Sequence, residues 1–501
     1  DANDSNRALF PKRMSQLMWM GETDDLCFVD GDSLIRSSAL TDNRRPAVTL
    51  DELNGAFHDQ GIDSIRRFPR VEFVSDVVIR FSHKNTLFSY DIITKNLEKL
   101  NTYPKEGKNI DVSDHSHAIA YTIDNNLFVA INGKQMQVTN DEDRAIVNGQ
   151  AVHRVEFGIR KGTFWSPRGN RLAFYRKDES MVTNYPLVDI TARIAEVDNT
   201  KYPMAGMPSH HVTLGVYDTA LDNTVFMDTG EPAEQYLTAV TWDPSGDYIY
   251  IALLNRDQDH MKLNKYDARS GELVMTLFEE SSEKYVEPEH PLYFLDAEPG
   301  YFIWFSERDG WQHMYLYTSE GELVKQLTQG EWVVTDYRGA DKKGKTLYFN
   351  ATKDSPIESN VYSLNINSGK IQRITPDHGT HNVMVSHSGK YFIDTYSSTE
   401  VAREYKVLDS KGKTLRILQG NKDPLADYKL GEMSIFTIKA DDGSDLYCRM
   451  IKPSNFEEGR KYPVYFYVYG GPHSQLISDS WLGDAGIFQN YMAQQGYVVF
   501  T

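Results

Sequence analysis

The sequence predicts a mainly β protein: a propeller built from repeated small sheets, followed by the start of an α/β segment. Three observations carry this reading. Short runs rich in Val, Ile, Tyr and Phe recur through residues 14–420, separated by clusters of Gly, Asp, Asn, Ser and Lys, while long helical periodicity is scarce. The runs repeat as a unit spaced by roughly 45 to 55 residues, with one gap of about 77, a period in the range of four-stranded propeller blades. From about Gly420 the pattern changes to strand, helix, strand with short connectors, which is how α/β folds are written.

Each repeat reads as a polar turn, an apolar strand, a second turn and a strand of alternating character. Examples are VSDHSHAIAYTIDNNLFVA (112–130), WSPRGNRLAFYR (165–176), WDPSGDYIYIALLN (242–255), KKGKTLYFNATKDSPIESNVYSLN (342–365) and VSHSGKYFIDTYSS (385–398). Trp165-Ser166-Pro167 and Trp242-Asp243-Pro244 each precede a glycine-bearing turn. Proline can open a strand there, and glycine supplies the positive φ of a tight hairpin. The wide gap is an insertion between Asp178 and His211, with prolines at Pro186, Pro203 and Pro208, and reads as an extended arm. Its stretch ESMVTNYPLVDI is less charged than the chain average, which predicts partial burial.

Beyond Gly420, residues 433–452 form a hairpin signal around Asp441-Asp442-Gly443. The run KYPVYFYVYGG (461–471) is continuous, β-branched and aromatic, and suits a strand buried on both faces. DAGIFQNYMAQQGYVVFT (484–501) then predicts an amphipathic helix ended by Gly496 and a further strand.

The 501 residues exceed the size at which single cores usually stop growing, so several domains or one large repeat architecture follow. A formal net charge of -18 argues against nucleic acid or an anionic membrane as partner, because phosphates attract basic patches. Cys27 and Cys448 lie far apart in strand-like runs, which excludes a disulfide framework. No run of apolar residues is long enough for a membrane span. The first residue is Asp1, as removal of a signal peptide would leave it, so the expected location is secreted or periplasmic.

Two residues stand out chemically. Glu156, in AVHRVEFGIRKGTFWSPRGN (151–170), is either a solvated carboxylate paired with Arg154 or Arg160, or a ligand-binding acid. Tyr469 ends an apolar run before Gly470-Gly471; it is either core, or a hydroxyl pointing into a cleft at the carboxyl end of an α/β strand. His210-His211 is not read as a metal site, since adjacent side chains in an extended segment point apart and no further ligand motif accompanies them. No G-x-S-x-G nucleophile elbow occurs in the sequence.

The strings VHRVEFGIRKGTFWSPRGNRLAFYRKDESMV, YPMAGMPSHHVTLGVYD, YVEPEHPL, ERDGWQHMYLY, LTQGEW and KYPVYFYVYGGPHSQ, met in this order, resemble the dipeptidyl peptidase IV branch of the prolyl oligopeptidase family. The resemblance runs through nearly the whole chain. It implies an eight-bladed β-propeller over residues 13–420 with an inserted arm at 179–211, then the start of an α/β-hydrolase domain at 421–501. Residues 1–12 are expected to pack on that domain. It further implies a serine exopeptidase that releases short amino-terminal peptides after proline, with no cofactor and no metal. Its Ser-Asp-His triad is expected beyond Thr501, which would leave this segment inactive alone. Glu156 matches the propeller glutamate that binds the substrate's free α-ammonium, and Tyr469 the tyrosine that stabilises the oxyanion. Glu156 is preceded by Val155 and Arg154 rather than by a second glutamate, which resembles the tripeptidyl enzymes and leaves dipeptide against tripeptide release open. The arm sits where relatives carry an excursion that contributes to a homodimer. The rival reading is a non-catalytic propeller that serves as a binding module.

Overall fold

The computed structural model describes residues 8–471 and 474–501. Its backbone is dominated by small antiparallel sheets whose strands are neighbours in sequence and in space, and the chain divides into two compact units.

One unit is Pro69–Gly330. Its sheets are built in order from residues 71–102, 108–137, 146–226, 236–281 and 293–326. Successive sheets pack face to face through apolar residues. Ala120, Leu127 and Val129 of one meet Leu172, Phe174 and Tyr217 of the next, and Ala173, Leu214 and Val216 of that sheet meet Ile249 and Ile251 of the one after. The inserted arm leaves its sheet where sequence places it. Asp178 and His211 are the last registered partners of the strands Arg171–Asp178 and His211–Asp218. Beyond them Asn184–Asp189 pairs with Glu196–Lys201 in a separate hairpin.

The predicted partial burial of 179–190 is confined to the base of the arm, where Val182 is buried, and does not reach the hairpin. Asn184–Asp189 is exposed along its whole length, and Ile190 and Ile194 at the hairpin tip are 83% and 81% exposed. A two-stranded ribbon has no third layer to cover it, so low charge there gives apolar surface rather than core.

The other unit, Asp1–Phe68 with Glu331–Thr501, holds the sheets of residues 15–49, 334–373 and 380–420. The sheet of 15–49 packs on that of 380–420 although they are far apart in sequence. Leu26 and Phe28 meet Ile393 and Val407, and the Trp19 indole donates to the Met384 carbonyl at 3.0 Å. Helix α1, Leu50–Asp59, follows the first of these sheets. Thr49 caps it: its hydroxyl accepts from the Glu52 N–H, and the Glu52 carboxylate accepts from the Thr49 N–H.

The repeated turns fold alike in both units. Gly169, Gly246, Gly344 and Gly389 all have positive φ, and their N–H groups donate to the carbonyls of Ser166, Asp243, Asp341 and Ser386. Pro167 and Pro244 sit inside these turns instead of opening strands. Gly169 admits no side chain, because a Cβ there would lie 2.3 Å from the Ser113 hydroxyl.

Within the second of these units, the carboxyl-terminal residues form a mixed sheet. Met433–Lys439 and Asp445–Ile451 are the predicted hairpin. Val464–Phe466 and Val498–Phe500 pair in parallel, with helix α2, Ile487–Gln494, between them in sequence. The strand predicted over 461–471 is shorter and more open than the sequence suggests. Only Val464–Phe466 is strand, and Phe466 and Val468 are 65% and 76% exposed. Among the described residues it is an edge strand with one neighbour: Tyr465 packs toward Phe488 of α2, while Val464 and Phe466 on the other face are exposed. Of the segment 1–12, residues 1–7 lie outside the described residues. Phe10 stands edge-on to Trp481 at 6.4 Å, and the Lys12 carbonyl accepts from Asn421 at 2.9 Å.

Candidate functional site

Glu156 sits at the apex of a turn that the chain enters from the strand Ile146–Asn148 and leaves for Thr163–Trp165. The turn contains a short 3-10 helix, His153–Val155, and its backbone is strained. His153, Arg154, Val155 and Phe157 all have positive φ, between 52° and 62°. For a β-branched residue such as Val155 this is a costly conformation, and each such residue costs on the order of 1–3 kcal/mol unless the surroundings hold it.

Burial holds the turn from below. Val152, His153, Phe157 and Ile159 point into the protein, whereas Arg154, Val155 and Glu156 face solvent. Phe157 packs on Tyr236 at 5.1 Å. Gly158 is obligatory: its φ is +67°, and a Cβ would fall 2.1 Å from the Glu289 carbonyl oxygen. The segment against which the turn is pressed therefore has its backbone in direct contact with it. The adjoining residues Lys284–Pro288, with Trp304, Ser306 and Arg308, line a cavity of about 450 Å³. Arg308 is fixed in that wall by ion pairing to Glu280 and by a 2.7 Å bond to the Tyr317 hydroxyl.

His153 is the anchor, and it was not singled out from sequence. Its Nε2 accepts from the Leu237 N–H at 3.3 Å, so in the neutral ring the proton is on Nδ1, which donates to His210 Nε2 at 3.0 Å. The two rings stack at 4.9 Å, and Tyr236 meets His153 edge-on at 5.0 Å. Burial holds His153 well below the usual histidine range, helped by the neighbouring His210 and Lys177. Burial also pushes His210 down to about 4, reinforced by the charges of Lys177, Arg154 and Arg256. His211, the next residue, faces Asp178 across its ladder. The two adjacent histidines thus go to different partners. Among the described residues no cluster of His, Cys, Asp and Glu is disposed to hold a metal ion.

The Glu156 carboxylate has no ion-pair partner among the described residues, and neither arginine named for it holds it. Arg154 instead lays its guanidinium over the Tyr202 ring at 4.1 Å and donates to the Lys201 carbonyl. The backbone of Glu156 is engaged: its N–H donates to the His153 carbonyl and its carbonyl accepts from Ile159, both at 3.1 Å. A fixed backbone carrying an unpaired, solvent-facing acid can bind a cationic group without first breaking an internal salt bridge.

Tyr469 belongs to the other unit. It follows the edge strand Val464–Phe466, whose direction is continued by Tyr467 donating to the Phe500 carbonyl at 2.9 Å. Its side chain is 60% exposed in this chain. The phenol folds over Gly471, where a Cβ would lie 2.6 Å from the Tyr469 hydroxyl oxygen. With the ring in this position the glycine leaves room that a side chain would take unless the exposed ring swung aside. Pro472 and His473 of the same motif lie outside the described residues.

Comparison with known proteins follows the same residues. Residues 67–403 match the family described as the dipeptidyl peptidase IV (DPP IV) N-terminal region. Dipeptidyl peptidase 4 of Arthroderma otae is 27% identical over 505 residues, covering 95% of this chain and 64% of its own length. The Trichophyton rubrum protein of the same name is 26% identical over 502 residues, with the same coverage. The chain thus spans 64% of the length of these curated relatives. A crystal structure of a candidate dipeptidyl aminopeptidase IV from Bacteroides ovatus superimposes with a TM-score of 0.91 at 37% identity, covering 98% of this chain and 72% of that one. Porphyromonas gingivalis dipeptidyl peptidase 4 shares the fold, with a TM-score of 0.82 at 24% identity over 99% of this chain and 72% of that one. With a family match over residues 67–403 and a solved relative at 37% identity that aligns with 98% of this chain, the chain belongs to the dipeptidyl peptidase IV family.

Proposed function

We propose that this chain is the substrate-selecting propeller and the opening of the catalytic domain of a serine exopeptidase that releases amino-terminal di- or tripeptides after proline. In this reading the successive sheets from residues 15–49 to 380–420 are the eight blades, and residues 421–501 begin an α/β-hydrolase domain. The observation that carries the proposal is the unpaired Glu156 carboxylate on its strained, well-anchored turn.

Glu156 binds the substrate's α-ammonium by a charge-assisted hydrogen bond. Tyr469 donates its hydroxyl proton in a hydrogen bond to the oxygen that becomes negative when serine adds to the scissile carbonyl. That bond is strongest in the tetrahedral state, so it lowers the barrier more than it tightens ground-state binding. Support for these roles is the disposition of both side chains: the carboxylate lacks an ion-pair partner among the described residues, and the phenol stands exposed over Gly471. The exposed apolar arm, with Leu187, Val188, Ile190 and Ile194, is the surface through which a homodimer would form. Export to the periplasm or the medium completes the proposal. The test is hydrolysis by the full-length protein of chromogenic peptides carrying one or two residues before proline, each with free and with acetylated amino terminus. Turnover confined to the free-amine, proline-containing peptides supports the proposal. Turnover of none, or of the acetylated peptides equally, overturns it.

A further inference from the structure

Arg154 stands two residues before Glu156, faces solvent with it, and carries the opposite charge. A guanidinium on a flexible stem beside an unpaired carboxylate pairs with it unless something else holds the guanidinium. The arm does so. Tyr202, at its returning base, offers its ring face at 4.1 Å, and the preceding carbonyl, Lys201, accepts a hydrogen bond from the same guanidinium. That base is itself closed: the Tyr202 N–H donates to the Thr183 carbonyl at 2.9 Å, and the Lys201 ammonium to the Val182 carbonyl at 2.9 Å. Further along, His210 grips His153 beneath the turn at 3.0 Å.

We infer that the arm of residues 179–211 is a positioning element for Glu156: by sequestering Arg154 on Tyr202 and Lys201, it keeps the acid free for a cationic ligand. The inference rests on the reading of Glu156 as the amine site, and it names what sets the strength of that site. Arg154 touches no substrate in this scheme. It is held away from a neighbour that it would otherwise neutralise. The arm, otherwise an exposed ribbon, becomes the control on amine recognition.

The experiment compares Tyr202→Ala, Arg154→Ala, the double variant and Glu156→Ala in the full-length protein. The readout is the ratio of kcat/KM on a free-amine peptide to that on its acetylated counterpart. Tyr202→Ala releases Arg154 onto Glu156 and should lower the ratio about tenfold, a part of what losing the acid altogether would cost. Removing Arg154 as well should restore the ratio to within about twofold of Arg154→Ala alone, a rescue that a merely structural defect would not show. A ratio unchanged in Tyr202→Ala, or no recovery in the double variant, overturns the inference. Hydrogen exchange of the amides of residues 153–158 gives a readout independent of activity. Faster exchange in Tyr202→Ala supports the coupling, and unchanged exchange overturns it. If Glu156→Ala leaves the ratio intact, the amine-site reading fails, while exchange still decides whether the arm holds the turn.

Discussion

His153 and His210 share one proton between facing ring nitrogens 3.0 Å apart, and the other nitrogen of His153 already accepts from the Leu237 N–H. Neither ring can take a second proton without conflict. On His153 it would oppose the Leu237 N–H, and on His210 Nε2 it would oppose the His153 Nδ1–H. Since the His153 carbonyl also receives the Glu156 N–H, this neutral pair fixes the base of the turn.

Burial, reinforced by neighbouring positive charge, holds both histidines below their unfolded value near 6.5, His210 at about 4. The unfolded chain binds more protons in this range, so the pair's contribution is complete above pH 6.5 and is lost as pH falls toward 4. The neighbours that act on the pair in this direction are Lys177, itself paired with Glu179, for both rings, and Arg154, Arg256 and His211 for His210. They oppose protonation further. Urea midpoints measured from pH 7.5 to 4.5 should fall more steeply for the wild type than for His210→Phe, which keeps a stacking ring and removes one titrating group. Parallel curves would show that the pair does not titrate on unfolding.

The Glu156→Ala substitution should damage amine recognition rather than the chemistry. Removing one member of a desolvated charge pair costs about 2–5 kcal/mol, which corresponds to a loss in kcat/KM of roughly 30-fold or more on free-amine peptides. Acetylated peptides, which have no ammonium, should be unaffected. Equal losses on both would assign Glu156 a structural role.

Thr49→Ala removes the hydroxyl that accepts the Glu52 N–H at the start of α1. Cap losses of this kind cost about 1 kcal/mol. Leu53 and Phe57 of that helix are fully buried, so the loss should appear as a lower urea midpoint with unchanged catalytic constants in the full-length protein. A changed KM would mean that the helix reaches the site.

Local chemistry was legible where it acts over a few residues. The glycine turns could be read because a left-handed residue at a hairpin tip demands glycine, and Gly169 and Gly246 occupy those positions. The arm's limits could be read because strand character stops at Asp178 and resumes at His211. Helix α1 was also written in the sequence, as Thr49-x-x-Glu52 followed by Leu53 and Phe57, but one amphipathic helix is easily passed over among so many strands. Burial was less legible. The run 461–471 has the composition of a covered strand, yet exposure depends on which neighbours the sheet supplies, and composition cannot give that. The His153–His210 pair was not legible at all, because the partners are 57 residues apart and their tautomers depend on a backbone N–H at Leu237.

Tyr469 makes the sharpest demand. Its phenol lies over Gly471 and is exposed. Tyr469→Phe keeps the ring and that contact and removes only the hydroxyl. If the hydroxyl donates to the oxyanion, its bond is worth most in the transition state, so kcat should fall by roughly 10² to 10³, about 3–4 kcal/mol, while KM stays near its original value. Thermal stability should hardly move, because an exposed hydroxyl contributes little to folding. Steady-state kinetics and melting of the full-length Phe variant separate the alternatives. A wild-type kcat would remove Tyr469 from the chemistry. A matched rise in KM with kcat preserved would place the hydroxyl on the bound substrate but not on the developing charge.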